Sequence, residues 1–161
     1  MSQVALLIGG NQGDRHRLID EATELIRNRI GSVVALSKVY ETEPWGDFGV
    51  ESGEQKVKNF LNRALLVETL LSPHEVLHES LAIEAELGRV RPKLSSKRYH
   101  SRPMDIDLIF FDQEVIDTPD LTIPHPRMHL RRFVLEPLAE IMPDYSHPLL
   151  HKTVEQMLKE L

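Results

Sequence analysis

Apolar positions change their period several times along this chain, and each change marks an element. Val4 to Ile8 is an unbroken apolar run ahead of Gly9-Gly10-Asn11-Gln12-Gly13, the pattern of a short buried strand leading into a tight turn and helix cap. Leu18, Ala22, Leu25, Ile26 and Ile30 then recur at helical spacing, and Gly31 ends that helix. Residues 33–42 read as one strand, with Val34, Leu36 and Lys38 on one face and Val33, Ala35, Ser37 and Val39 on the other. From Glu43 to Lys58 the pattern dissolves among Pro, Gly and charged residues, which predicts a long loop. Strand character returns from Leu61 to Val67.

Ser72-Pro73-His74-Glu75 combines a capping box with proline at the first helical position. The helix it opens is expected to run to Gly88, with Val76, Leu77, Leu81 and Leu87 facing the core. Asp105 to Phe111 is apolar on both faces beyond its start and is expected at the centre of a sheet. Asp112-Gln113-Glu114 should turn into a short edge strand near Val115-Ile116, and Pro119, Pro124 and Pro126 stiffen a loop around His125. A helix is expected from about Pro137, and Thr153-Val154-Glu155-Gln156 caps a last one carrying Val154, Met157, Leu158 and Leu161. The order through residue 111 is strand, helix, strand, strand, helix, strand. That is the split βαβ pattern of an α+β, ferredoxin-like βαββαβ sandwich, here with an edge hairpin and extra C-terminal helices. Both long helices on one face would leave the other face free for a ligand.

With 161 residues, 41% of them hydrophobic, the chain is expected to form a single domain over 1–161 with its own core. It has no cysteine, which excludes disulfides, a thiolate nucleophile and cysteine-ligated zinc. Its first residues lack the basic start and long apolar core of a signal peptide, and no apolar run reaches membrane-spanning length, so a cytoplasmic location is expected. No exposed apolar stripe is evident, which points to a monomer.

Charge alters this picture at one place. Between Gly88 and Met104 lie Arg89, Arg91, Lys93, Lys97, Arg98 and Arg102 and no acidic residue, on a chain of net charge −6. Removing those six charges leaves the remainder twice as acidic as the whole. A basic segment on an acidic body is a local device, and it argues against a general nucleic-acid or membrane binder. Asp105 and Asp107 come immediately after it. Two apart on a strand, they point to one face about 6.6 Å apart at the backbone. At an effective dielectric near 20 they repel by about 2.5 kcal/mol. A divalent cation offsets that repulsion; bonds to backbone amides and to Arg102 are the ordinary alternative. Beside the basic segment the cation reading is preferred, because bases take phosphate charge while carboxylates hold magnesium. Arg89, Arg91 and Arg102 suit bidentate phosphate contacts better than the lysines do.

Other candidates carry weaker signals. Glu84 shares the inward face of Leu77 and Leu81, and its partner is either an arginine or a ribose hydroxyl. His125, between two prolines, is either an idle loop histidine or a positioned phosphate donor. His74/His78, His125/His129 and His147/His151 have i,i+4 spacing but no evident third ligand for zinc. Trp45, Phe60 and Phe133 could line a slot for a planar heterocycle or serve as ordinary core.

Arg102-Pro103-Met104-Asp105-Ile106-Asp107-Leu108-Ile109 resembles the signature of the 6-hydroxymethyl-7,8-dihydropterin pyrophosphokinases of folate biosynthesis. Gly9-Gly10-Asn11, residues 40–46, Phe60-Leu61-Asn62, Ile83-Glu84, Gly88-Arg89-Val90-Arg91 and Pro124-His125 with Arg131 and Phe133 extend the likeness, in order, over nearly the whole chain. It departs at Gly10, Glu43, Phe60 and Tyr99-His100-Ser101, where other residues are common. The resemblance implies transfer of pyrophosphate from ATP to the hydroxymethyl oxygen of the pterin, giving AMP. It implies two Mg²⁺ ions on Asp105 and Asp107, and a catalytic set completed by Arg89 and Arg102. It also implies triphosphate contacts from Arg91, Arg102, His125 and Arg131, and nucleoside contacts from Glu84, Leu108 and Thr122. Phe60 and Phe133 would sandwich the pterin, Asn62 would read it, and Thr42, Pro44 and Trp45 would form its wall. The partners implied are small molecules, with no nucleic acid and no membrane. A non-catalytic anion-binding module is the other reading, and the paired carboxylates argue against it.

Overall fold

A computed structural model describes residues 1–43, 59–88 and 103–161. Its centre is an antiparallel sheet of β1 (Ser2–Gly10), β2 (Gly31–Leu36), β4 (Phe60–Thr69) and β5 (Asp105–Phe111), in the order β2-β4-β1-β5. A short strand, β3 (Tyr40–Thr42), pairs with the Phe60–Asn62 end of β4. Gly9 and Gly10 continue β1 in the ladder instead of forming the expected turn, and Asp14 caps α1 (Arg15–Arg29), its side chain accepting the Arg17 amide at 3.3 Å.

The stretch expected as one strand over 33–42 is two. The register shifts between Val33 and Ala35, and Ser37 then replaces the regular ladder: its Oγ accepts the Ala64 amide at 2.9 Å and its carbonyl accepts Arg63 Nε at 3.0 Å. Such a local bulge bends a strand and re-aims the residues beyond it. Here it sends Tyr40–Thr42 along the same edge of β4 towards Phe60.

Helices α1 and α2 (Pro73–Gly88) pack on one face, over Val4, Leu6, Ile8, Ile106 and Leu108. Each such fully buried aliphatic side chain contributes about 1.5–3 kcal/mol. The capping box of α2 is in place, with Glu75 N to Ser72 Oγ at 3.2 Å and Ser72 N to Glu75 Oε1 at 2.8 Å. Its inward residues are Val76, Ser80 and Ile83; Leu81, expected in the core, is 54% exposed because the buried stripe runs one position to its side.

The second face is not free. Helices α3 (Arg132–Ile141) and α4 (Val154–Lys159) cover Ala5, Leu7, Ala64, Ile109 and Phe110. α3 begins five residues before the expected start and contains Pro137, which is buried along with Val134, Leu135 and Leu138. Glu140 ties α3 to the β2–β3 link, accepting Tyr40 Oη at 2.8 Å and the Lys38 amide at 3.2 Å. Burial, and secondarily Glu140, push the Tyr40 phenol up to about 12. α4 keeps its expected capping box, but it ends at Lys159 and Leu161 is 44% exposed beyond it.

Among the described residues β5 lies at the edge of the sheet and not at its centre. It reads as a central strand because both its faces are covered, and a bulge opposite Ala5 and Leu6 turns Ile109 and Phe110 together into the second core. A separate hairpin of β6 (Ile116–Thr118) and β7 (Leu121–Ile123) packs beside it. Among the described residues no helix is long and apolar enough to cross a membrane.

Two stability predictions arise from this packing. Ser80 is fully buried and its hydroxyl has no hydrogen-bond partner among the described residues. Ser80→Ala should therefore stabilise the fold by about 1 kcal/mol in urea unfolding; a loss of stability would reveal a missed partner. His147 is buried, and its Nδ1 accepts the amides of Leu149 and Leu150 at 3.1 Å each. Burial, helped by His129 and His151, holds its pKa below the ordinary histidine value. The unfolded chain thus takes up this proton first as pH falls. The contribution is complete above about 6.5 and is lost as pH drops through the folded value. His147→Asn, which keeps an acceptor, should flatten the decline of stability between pH 7 and pH 5; parallel curves would refute it.

Candidate active site

The sheet register assembles the site around the end of β1. Gly9 stands opposite Asn62 on β4 and Asp105 on β5, and Leu7 stands opposite Asp107. A Cβ on Gly9 would lie 2.3 Å from the Leu61 carbonyl oxygen and 2.5 Å from Asn62 Oδ1, so the strands meet there only because position 9 has no side chain. Asn62 is buried and donates Nδ2 to Thr42 Oγ1 at 3.4 Å. The break at Ser37 makes that contact possible, since it brings β3 against this end of β4. Phe60, two residues before Asn62, is half-buried and pairs with Thr42 in the ladder. Phe133 sits half-buried in the first turn of α3, the helix packed on β3 and β4, with the Arg131 guanidinium 5.9 Å over its ring. Such a cation over a ring face is attractive and orients both groups.

Asp105 and Asp107 are half-buried on β5, as the period of two requires. His125 approaches from beyond the hairpin. Its backbone amide donates to the Ile109 carbonyl at 3.0 Å, its Nδ1 lies 3.0 Å from the Pro126 carbonyl, and its Nε2 lies 4.0 Å from Asp107 Oδ1. Burial pushes its pKa down, the Pro126 carbonyl opposes this, Arg131 assists it and Asp105 opposes it. Burial thus favours the neutral ring beside the carboxylates.

A cavity of about 280 Å³ lies along this edge of β5. Asp107, Leu108, Thr122 and His125 share it with an apolar lining from Leu77, Ile106 and Leu121. Pro119, Asp120 and Pro126 complete it, a contribution that sequence reasoning missed although the proline spacing marked the segment as rigid. Glu84 reaches backbone, a partner that sequence reasoning did not consider: its Oε2 accepts the amide of Ile106 at 2.6 Å. Arg89, Arg91, Arg102, Pro44 and Trp45 lie outside the described residues.

Among the described residues no group of three or more His, Asp or Glu side chains forms a closed cation cage. The pair Asp105 and Asp107 suits a different kind of site. Magnesium binds through one or two carboxylates, keeps several waters and takes further oxygens from phosphate. Half-buried carboxylates on one strand face, beside a cavity that admits a ligand, fit that donor set.

Residues 5–143 match the model of the 7,8-dihydro-6-hydroxymethylpterin-pyrophosphokinase (HPPK) family. The chain is 41% identical over 149 residues to a Porphyromonas gingivalis protein named 2-amino-4-hydroxy-6-hydroxymethyldihydropteridine pyrophosphokinase, covering 92% of this chain and 95% of that one. A Bacillus subtilis protein of the same name is 40% identical over 143 residues, covering 88% and 79%. A crystal structure of Plasmodium falciparum HPPK-DHPS shares the fold, with a TM-score of 0.76 at 17% identity over 99% of this chain. This chain spans only 41% of that longer one.

Gly9→Ala should cost about 2 kcal/mol, the scale of overpacking against backbone. Its amide NMR shifts should concentrate at Asn62 and Asp105; an alanine variant with wild-type stability and spectrum would show that the strands can part freely.

Proposed function

The chain belongs to the 7,8-dihydro-6-hydroxymethylpterin-pyrophosphokinase family, and we propose from that premise how its residues divide the reaction. The reaction is transfer of pyrophosphate from ATP to the hydroxymethyl group of 6-hydroxymethyl-7,8-dihydropterin. The hydroxymethyl oxygen bonds to the β-phosphorus, the bond from that phosphorus to the oxygen it shares with the α-phosphate breaks, AMP leaves, and the hydroxyl proton is released. The observation that carries the assignment is the register of Asn62, Gly9 and Asp105 across three adjacent strands. A buried amide on one side of β1 and a carboxylate pair on the other support a site that reads a polar heterocycle and takes a cation-bound phosphate.

Asp105 and Asp107 hold two magnesium ions in this reading, which when bound supply charge neutralisation to the phosphates and polarisation to the attacking hydroxyl. Phe60 and Phe133 stack on the two sides of the pterin, Asn62 reads its polar edge, and Thr42 with Pro44 and Trp45 closes the wall. Leu108 and Thr122 face the nucleoside in the cavity beside β5, with Glu84 near it, while His125 and Arg131 meet the triphosphate. Arg89, Arg91 and Arg102 take up the remaining phosphate charge as bidentate donors. The chemistry needs little from the protein beyond positioning and charge stabilisation, and these are the roles assigned.

The strand order β2-β4-β1-β5, with α1 and α2 as crossovers on one face, supports a ferredoxin-like sandwich carrying an added hairpin and two C-terminal helices. In this reading the protein is a monomer acting on two small molecules in the cytoplasm, since the sequence shows no evident exposed apolar stripe and no apolar run of membrane-spanning length.

Incubating the protein with ATP, Mg²⁺ and the reduced pterin should yield AMP only when pterin and metal are both present. Asp107→Ala should lower that turnover by at least about a hundredfold while leaving the circular dichroism spectrum unchanged. Near-wild-type turnover in this variant would sink the cation assignment. ATP binding indifferent to Mg²⁺, with no AMP formed, would favour an anion-binding module.

A further inference from the structure

Glu84 directs its carboxylate at backbone. Its Oε2 accepts the amide of Ile106, the residue between Asp105 and Asp107, at 2.6 Å. A carboxylate oxygen is a good acceptor for a backbone amide at this range. Among the described residues β5 has no neighbouring strand on that side, so the Ile106 amide has no ladder partner there and Glu84 supplies one across the gap from α2. A second contact lies nearby. A Cβ on Gly88 would stand 3.3 Å from Pro103 Cγ, so the end of α2 and the approach to β5 abut. Gly88 and Pro103 are the last and first described residues on either side of positions 89–102. Glu84 itself is not among the residues lining the cavity that Leu108, Thr122 and His125 share.

We propose that Glu84 is a positioning residue: by holding the Ile106 amide it sets the orientation of Asp105 and Asp107 and couples the end of α2 to the cation pair. This rests on the reading of those aspartates as cation ligands. The peptide it grips is the one joining Asp105 to Ile106, so a rotation there would swing the first aspartate away from the second. Outer partners of cation ligands typically change metal affinity by about 10- to 100-fold when removed.

Tripolyphosphate provides the test, since it carries phosphate charge but no ribose or base for Glu84 to read. Calorimetry on the full chain would compare tripolyphosphate with and without Mg²⁺. Glu84→Ala should weaken the Mg²⁺ complex about tenfold and leave metal-free tripolyphosphate unchanged. Glu84→Gln, which keeps an acceptor oxygen, should bind the Mg²⁺ complex within about threefold of wild type. If the alanine variant does not fold, Glu84→Met preserves the volume and should give the same result. Wild-type affinity for Mg²⁺-tripolyphosphate in the alanine or methionine variant, with only ATP weakened, would overturn the proposal and make Glu84 a nucleoside contact. Equal loss with and without metal, or a folded glutamine variant that rescues nothing, would overturn it too. Failure of the underlying cation reading has a separate signature: wild-type protein that binds tripolyphosphate equally well with and without Mg²⁺.

Discussion

The missing side chain at Gly9 is the constraint on which the candidate site depends. A single methyl there would fall within 2.5 Å of both the Leu61 carbonyl and the Asn62 amide oxygen, so only glycine lets β1 and β4 keep their register at this end. Because β1 is flanked on both sides, that register also decides what lies across it: Asn62 on one neighbour, Asp105 on the other. Two strand spacings separate those neighbours by about 10 Å. Sheet geometry itself therefore sets the distance between the buried Asn62 amide and the Asp105 carboxylate.

The electrostatic arrangement is built on the same frame. The acidic body concentrates two carboxylates on one strand face, and the chain directly before them carries six basic residues without an acidic one. Burial lowers the pKa of His125, whose Nε2 lies 4.0 Å from Asp107 Oδ1. Its anchoring is a main-chain bond to Ile109, so ring placement depends on β5 and not on a flexible surface contact. α3 is secured on the other side by Glu140, which joins the helix bearing Phe133 to the link that delivers Thr42.

Local chemistry decides most of what was legible in the sequence. The capping boxes at Ser72 and Thr153 need only four residues each and occur as expected, and the period of two alone put Asp105 and Asp107 on one face. Features that depend on a distant partner were not legible. The break at Ser37 exists because its hydroxyl meets Ala64, and the early start of α3 reflects burial of Val134, Leu135 and Leu138 in a core assembled from distant strands. Leu81 has the spacing of a core residue but faces outward, because α2 meets the sheet along Val76, Ser80 and Ile83. The edge position of β5 was hidden for a related reason: covering both faces of a strand produces the same composition as placing it in the middle. The roles of Gly9 and Glu84 required the register and a tertiary hydrogen bond, neither of which a single sequence displays.

An edge strand with free amides and carbonyls is a template for pairing with another chain. Among the described residues β5 lies at the edge of its sheet, and five of its seven residues, Ile106 and Leu108 to Phe111, are large and apolar. Glu84 occupies the Ile106 amide and the His125 amide occupies the Ile109 carbonyl, so these two groups of the edge already have partners. The bonds that anchor α2 and the segment at His125 to β5 thus also take two backbone groups out of reach of a second chain.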